Sequence, residues 1–593
     1  MSKLETINEL FYRMVERKSD RVMLFQQTAK WIPIASHELY RNAVGVAKSL
    51  VESGIQKGDR VAILSENRPE WATADFGTLL MGGIVVPIYP TLTGEQTAYM
   101  LADSGTRVVF VSTVDQFKKV LAIRAQTAVE QIVVMDYSGI PESIPMHPMM
   151  HNGPQERDAE FDARAQQIGR DDVATIIYTS GTTGTPKGAM LTHGNLASNV
   201  VVSLAGFPLA SDDISLSFLP LSHITARHVD FVMFYHGVTI AYCPFIDELH
   251  QTLKEVRPTV MVAVPRVFEK IQRQTQLAAK SGVKHTIYKK ALQVGRAYRD
   301  EILAGNKPTA REWRIADRLV FSKVRQALGG RVKIFISGGA PLGRDLAEWY
   351  ADIGIRIHEG YGLTETSPVI AVNKPAAHKI GTVGRPLLNV EVKIADDGEI
   401  LVRGPSVFKG YWNRPNETNE ALEPEGWFHT GDIGHLDEEG YLLVTDRKKD
   451  LIKTSGGKFI APQPIEQKLK NNSLVAEAIV IGDKKKFPSV VIAPNFAELE
   501  PWALKNGIDI KDRQELVEDP RVREMYESIV ANVNADLAQF EKLKKVLLVP
   551  DEFSIADGSL TPTLKVKRRV VEERYRAMIQ RLYAEQADMV AST

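Results

Sequence analysis

Tyr178-Thr-Ser-Gly-Thr-Thr-Gly-Thr-Pro-Lys-Gly188 decides how the rest of this chain is read. The preceding Val173-Ala-Thr-Ile-Ile-Tyr178 is rich in β-branched residues and predicts a buried strand. Three glycines then let the backbone turn its N–H groups inward, and the Ser and Thr hydroxyls and Lys187 add donors, so the stretch is suited to hold phosphate. A Walker A loop is excluded. It requires Gly-x-x-x-x-Gly-Lys-Ser/Thr, but counting from Gly181 places Pro186 at the second Gly and Gly188 at the Ser/Thr. A Gly/Thr-rich surface loop is the plain alternative, and the strand directly before it favours the phosphate loop.

Composition bounds what this loop can serve. At 593 residues the chain exceeds one ordinary core, so two or more domains are expected. Lys+Arg and Asp+Glu are both 73, so no global field recruits nucleic acid or an anionic membrane, and either would need a local patch. The single Cys243 excludes an internal disulfide and an all-cysteine metal cluster, and fits a reducing, cytoplasmic setting. The first ten residues lack the apolar core of a signal peptide. The longest apolar run, 231–245, is shorter than the ~20 residues of a membrane span and is interrupted by His236, Gly237 and Pro244, which predicts a buried segment.

Along the chain, residues 1–55 read as largely helical, and Asp59–Leu64 starts a strand. Helices over about 68–81, 94–104 and 114–127 then alternate with strands at 83–87, 106–112 and 131–135, which predicts parallel sheet covered by helices. Residues 138–170 read as loop or linker. Strands near 216–223 and 258–265 end in turns, and strands at 332–337 and 355–359 run into small or hydroxyl residues, the place where open α/β sheets bind ligands. Residues 266–328 are helical and charged. Short strands broken by Gly and Asp from about 380 predict a small antiparallel or barrel-like lobe. The fold expected is α/β: a large N-terminal domain, 1–445, of parallel-rich sheets plus that lobe, then a small mobile α+β domain, 446–593.

The loop 178–188 resembles the phosphate loop of the adenylate-forming enzymes: acyl-CoA synthetases, peptide-synthetase adenylation domains and beetle luciferases. Gly360-Tyr-Gly-Leu-Thr-Glu365 fails as a dinucleotide fingerprint, because Glu365 stands where the third Gly belongs, but is similar to the family's Tyr-Gly-x-Thr-Glu segment. Glu425-Gly-Trp-Phe-His-Thr-Gly-Asp-Ile-Gly434 and Thr445-Asp-Arg-Lys-Lys-Asp-Leu-Ile-Lys453 extend the likeness and most resemble long-chain fatty acyl-CoA synthetases.

The resemblance implies a set of roles. Thr179, Ser180, Gly181, Thr182, Thr183, Gly184 and Lys187 would contact ATP or AMP, with Gly339, Ala340, Pro341, Glu359, Gly360, Tyr361, Gly362 and Thr364 around the base and phosphates. Tyr361 would lie along adenine and Thr364 bond a phosphate. Glu365 and Thr182 would hold Mg²⁺, a hard cation that asks for few protein oxygens when phosphates supply the rest. Asp432 would accept from both ribose hydroxyls, with Arg447 supporting the same sugar. His223, after Leu219-Pro-Leu, would position the substrate carboxylate; no neighbouring residue gives it metal-binding spacing. The acyl tunnel would be walled by about 219–237, 261–268 and 337–342.

Lys449 matches the family's hinge, and Gly456 and Gly457 match the loop that approaches coenzyme A. Leu560-Thr-Pro-Thr-Leu-Lys565 resembles the family's final Thr-x-x-Gly-Lys motif, with Leu564 in place of Gly. The register of Thr561-Pro-Thr563 selects Lys565 over Lys567 and Arg568 as the catalytic lysine. The basic run Lys567–Arg569 could touch anionic lipid headgroups as well.

What the resemblance implies is a two-step ligase using ATP, a fatty acid and coenzyme A, with no nucleic-acid partner and a peripheral contact on the inner face of the membrane. Oligomeric state stays open, with a dimer as one alternative. Two rivals remain: an adenylating enzyme that loads an acyl carrier protein, and a non-catalytic, membrane-docked acyl or nucleotide binder. A hydrolase lacks support, since no Gly-x-Ser-x-Gly elbow occurs.

Overall fold

The computed structural model describes residues 3–136, 139–179, 185–455, 458–554, 556–561 and 566–584. The chain divides into two compact units. One comprises Met1–Ala395, Leu401–Thr430 and Leu436–Leu443, the other Asp396–Ile400, Gly431–His435 and Val444–Thr593.

The first unit is built on two large sheets. In an eight-stranded sheet, Ile84–Ile88, Arg60–Leu64, Val108–Val111, Gln131–Val134 and Ile144–Pro145 lie side by side and parallel. Val173–Thr179 adds to Ile84–Ile88 in the same direction. These strands are runs such as Ile-Val-Val-Pro-Ile rather than alternating ones because helices cover both faces, leaving Val61–Leu64 and Val108–Val111 fully buried. Local signals set the helices between them. Thr93 and Gln96 form a capping box that starts Gly94–Ser104, and Gly105 stops it in the left-handed region at φ 63°.

The nine-stranded sheet places six parallel strands in the order Ile357–Gly362, Ile334–Ser337, Val260–Ala263, Ile214–Ser217, Thr239–Tyr242 and Met23–Gln27. Its edges are antiparallel. Most of the apolar run 231–245 is buried, with Pro244 and Phe245 at its end exposed: helix Ile224–His236 turns at Gly237 into strand Thr239–Tyr242. Among the described residues, no helix is long and apolar enough to cross a membrane.

Two local expectations are corrected. Between helices Ile7–Glu16 and Ser36–Glu52 the chain forms a hairpin, Met23–Gln27 with Lys30–Ile34. Its turn residues Thr28 and Ala29 both have positive φ, 46° and 64°, without the Gly or Asn that marks such turns in a sequence. Residues 138–170 are not a plain linker either, since they carry strand Ile144–Pro145 and helices Met146–His151 and Ala159–Ala165. Helices this short have little stability of their own and are held from outside: Tyr40 Oη donates to Asp162 at 3.0 Å, and Asn8 Nδ2 to the Ala165 carbonyl at 2.9 Å.

The strands after 380, Glu391–Ile394, Glu399–Arg403, Phe428–Leu436 and Leu442–Arg447, form a four-stranded sheet in that order. In the second unit, Val475–Ile481, Ser489–Pro494 and Val546–Leu548 form a three-stranded sheet. Alternation divides its faces. Val480 and Ile492 pack with Ile465, Phe496, Val522 and Tyr526, whereas Ile479 and Val491 pack with Val571 and Tyr575 of the last helices.

Candidate active site

In the first unit, three neighbouring strands end at Ser217, Ala263 and Ser337, and the fourth leaves its parallel pairing at Glu359; Ala263, Ser337 and Glu359 lie in direct register. The segments 218–223, 264–268 and 338–342 therefore leave the sheet along one carboxyl edge, where 360–362 pass into antiparallel pairing with Val369–Val372 before the turn Thr364–Thr366. Open α/β sheets bind ligands outside this edge, and His223, Gly339, Ala340, Pro341, Gly360, Tyr361, Gly362, Thr364 and Glu365 follow it in sequence. Three hydrogen bonds hold these segments in place. The Leu342 N–H donates to Glu359 Oε1 at 2.9 Å, joining the 338–342 segment to the next strand. Asn67 donates to the Leu219 carbonyl at 2.7 Å and accepts from the Leu221 N–H at 3.1 Å, fixing the run into His223.

His223 caps helix Ile224–His236: its Nδ1 accepts from the Thr225 N–H at 3.1 Å, which places the neutral ring's proton on Nε2. One helical turn further on, Arg227 is buried in an ion pair with Asp75. Burial raises Asp75, against the lowering pull of Arg227, and pushes Asp230 up to about 8. His228 donates or accepts at Ser203 Oγ, 3.0 Å away, and burial takes it down to about 3, so it stays neutral. These groups fix the helix behind His223. Glu359 is itself raised by burial to about 7, with the Leu342 N–H pulling the other way.

The eight-stranded sheet contributes the other side. Val173–Thr179 pairs antiparallel with Lys187–Thr192, Thr179 opposite Lys187, so the phosphate-loop sequence links two adjacent antiparallel strands instead of a strand and a helix. Ser180, Gly181, Thr182, Thr183 and Gly184 lie outside the described residues. The flanks are held firmly: Tyr178 Oη donates to Asp103 at 2.7 Å, and Tyr99 Oη to the Pro186 carbonyl at 2.9 Å.

Tyr411, which sequence reasoning missed, connects the two sheets. It sits on the short strand Gly410–Tyr411 beside Lys187–Thr192. Its ring lies 5.4 Å from Lys187 Nζ, and its hydroxyl donates to Glu365 Oε1 at 2.9 Å. Burial, and then the Glu365 charge, raises the Tyr411 phenol well above its ordinary value, so it stays a donor. Glu365 is buried, and its carbonyl accepts from the Phe408 N–H at 2.8 Å. The only signal in the sequence was an aromatic pair, Tyr411-Trp412, between Gly410 and a polar turn.

In the second unit, Asp432 is buried and pairs with Arg447, Nε to Oδ1 2.8 Å. The two meet because the Lys448 N–H donates to the Gly431 carbonyl at 2.8 Å, which brings 447–448 beside 431–432. Glu399 accepts from the Gly431 N–H at 2.9 Å and from Lys448 Nζ at 2.8 Å, a brace the sequence did not suggest. Lys449 is exposed. The strands flanking Gly456 and Gly457 pair, Ile452 with Ile460 and Lys453 with Phe459; those two glycines, like Lys565, lie outside the described residues. Among the described residues no group of three or more His, Cys, Asp or Glu side chains gathers to hold a metal ion.

Comparison with known proteins follows this division. Residues 11–412 match the model of the AMP-binding enzyme family, and 449–587 that of the AMP-binding enzyme C-terminal domain. A long-chain-fatty-acid–CoA ligase of Mycobacterium bovis, FadD15, is 37% identical over 96% of this chain and 95% of its own. The Xenopus laevis long-chain-fatty-acid–CoA ligase ACSBG2 is 33% identical over 98% of this chain and 84% of its own. Among solved structures, ATP-bound MatB from Rhodopseudomonas palustris is 26% identical, with a TM-score of 0.70, over 97% of this chain and 99% of its own.

Proposed function

We propose that this chain, which belongs to the AMP-binding enzyme family, is an ATP-dependent, AMP-forming ligase that joins long-chain fatty acids to coenzyme A. In the first step a carboxylate oxygen bonds to the α-phosphorus of ATP, the α–β P–O bond breaks, and pyrophosphate leaves. In the second, the coenzyme A sulfur bonds to the acyl carbonyl carbon and the C–O bond to phosphate breaks. AMP then leaves with the electron pair, and the thiol proton is lost. Because carboxylates are weak nucleophiles, the protein has to align the attack, offset charge building on the phosphates and keep the mixed anhydride from water.

Support comes first from the Lys187–Tyr411–Glu365 contact, which brings a cation and a buried carboxylate onto one aromatic ring at the carboxyl edge of the sheet. In this proposal Lys187 and the loop 179–184 bind phosphate oxygens, Tyr361 lies along adenine, and Thr364 bonds a phosphate. His223, its Nδ1 engaged by the Thr225 N–H, offers Nε2–H to the fatty carboxylate. Asp432, oriented by Arg447, accepts from the ribose hydroxyls.

Glu365 fits a magnesium ligand: its carboxylate is buried and oriented by the Tyr411 hydroxyl, and Thr182 is the second proposed ligand. Bound there, the ion would offset negative charge on ATP oxygens. Lys565 serves adenylation, Gly456 and Gly457 the thiol, and Lys449 is the point where the chain turns between half-reactions.

The test is a screen of AMP release over carboxylic acids of graded length, with and without coenzyme A. The expected result is AMP, pyrophosphate and thioester, favouring long acyl chains. Pyrophosphate release with no acid in the series would overturn the ligase, and transfer to a carrier protein but not to free coenzyme A would reassign the acceptor.

A further inference from the structure

The zero net charge of the whole chain conceals a local imbalance. Residues 266–331 hold sixteen lysines and arginines against five acids. All of them belong to the first unit. They form helices Pro265–Ala278 and Gly282–Ala297, then Arg299–Leu303, and then Arg311–Ala316, which continues through Asp317–Phe321 into Ser322–Ala327.

The inner side of this layer is packed. Tyr288, Ala291 and Gly295, at i, i+3 and i+7, are buried, and Trp349 Nε1 donates to Tyr288 Oη at 2.9 Å. A Cβ on Gly295 would fall 2.1 Å from the Asp352 carbonyl oxygen, so only glycine fits this approach. The rings of Tyr298 and Trp313 meet edge-on at 5.9 Å, tying the second stretch of helix to the first.

The outer side is unusual. Of fifteen large hydrophobic side chains exposed among the described residues, five fall in this segment: Leu277, Val283, Ile287, Ile315 and Leu319. Val283 is 75% exposed. Val283 and Ile287 stand at i and i+4 with exposed Lys290 at i+7, on the face away from Tyr288 and Gly295. Ile315 and Leu319 repeat the spacing between exposed Arg311, Arg314, Arg318 and Lys323. Aliphatic side chains interleaved with cations along surface helices match an element that lies in a lipid interface. A polyanion with no apolar phase, such as nucleic acid, would pair the cations and leave the aliphatic groups in water, whereas a charged bilayer satisfies both.

We propose that helices Gly282–Ala297 and Arg311–Ala327 form a docking surface for an anionic phospholipid bilayer. Val283, Ile287, Ile315 and Leu319 enter the acyl boundary while the surrounding lysines and arginines meet the headgroups. The surface stands on charge and exposure, independently of the ligase chemistry, and is distinct from the basic run Lys567–Arg569.

The experiment is co-sedimentation of the full chain with vesicles of phosphatidylcholine alone or with about one-third phosphatidylglycerol. Binding is expected only to the anionic vesicles, weakening as salt rises. The combined Lys284→Glu, Lys289→Glu and Lys290→Glu variant should bind at least about tenfold more weakly, and the Lys567→Glu, Arg569→Glu variant should bind like the parent. A second measurement is independent of those variants: a Val283→Trp probe should shift its emission to the blue on anionic vesicles and not on neutral ones. Equal binding to both vesicle types, parental binding by the triple variant, loss of binding only in the 567/569 variant, or an unshifted probe would each overturn the surface.

Discussion

The Tyr411 hydroxyl donates to Glu365 Oε1 at 2.9 Å while its ring lies 5.4 Å from Lys187 Nζ. One side chain thus touches both the carboxylate proposed for magnesium and the cation proposed for phosphate. The hydrogen bond spans 46 positions and joins the edge strand Gly410–Tyr411 of one sheet to the turn Thr364–Thr366 that follows a strand of the other.

Tyr411→Phe keeps the ring beside Lys187 and removes the donor to a buried carboxylate. Hydrogen bonds to charged groups are worth about 1.5–3 kcal/mol, so adenylate formation should fall about ten- to a hundredfold. The magnesium concentration for half-maximal pyrophosphate release should rise with it. An unchanged magnesium requirement would leave Tyr411 a packing residue only.

Asp432→Ala should raise the KM for ATP by about tenfold or more through loss of a charged acceptor. The sharper readout is selectivity. The parent should discriminate against 2′,3′-dideoxy-ATP, and the variant should use both nucleotides about equally poorly. If the variant keeps the parental preference, the ribose is read elsewhere.

Glu359 is raised by burial from 4.5 to about 7. A carboxyl whose folded pKa is raised holds its proton more tightly in the native state. Its contribution to stability is therefore full below about pH 4.5 and is lost as pH rises through about 7. Glu359→Gln keeps an acceptor for the Leu342 N–H and cannot ionise. Thermal unfolding across this window should show the variant gaining on the parent with rising pH, by roughly 1–3 kcal/mol above pH 7. Parallel curves would mean that the group is solvated in the native state.

Arg227→Ala would leave Asp75 buried without its cation. Loss of one partner from a buried pair costs about 3–5 kcal/mol, so denaturant unfolding should shift by that amount. A change below about 1 kcal/mol would place the pair in contact with solvent.

Lys565→Ala should abolish adenylation while thioester formation from supplied acyl-adenylate persists, and Lys449→Pro should slow the second half-reaction instead. Separate assays of pyrophosphate release and thioester formation read the two. Equal loss of both activities in each variant would remove the assignment of one residue to each half.

Contiguous patterns were the legible part of the fold. Helices Pro69–Leu80, Gly94–Ser104 and Val114–Ile123, and the strands between them, were readable because caps, glycine stops and β-branched runs act within a few residues. The hairpin at 23–34 was hidden because Thr28 and Ala29 adopt positive φ without the residues that usually signal it. The short helices of 138–170 were hidden because tertiary contacts such as Tyr40 to Asp162 hold them.

The sequence by itself pointed to a phosphate loop at 178–188, excluded the Walker and dinucleotide patterns, and set the alternation of strand and helix. Each is carried by residue types at fixed spacing. Only the tertiary structure decided that Ser217, Ala263, Ser337 and Glu359 lie along one edge, that Tyr411 joins Lys187 to Glu365, and that aliphatic side chains among the cations of 266–331 stay exposed. Those relations arise from sheet order and helix packing, which bring distant residues within a hydrogen bond of each other and leave no periodic trace along the chain.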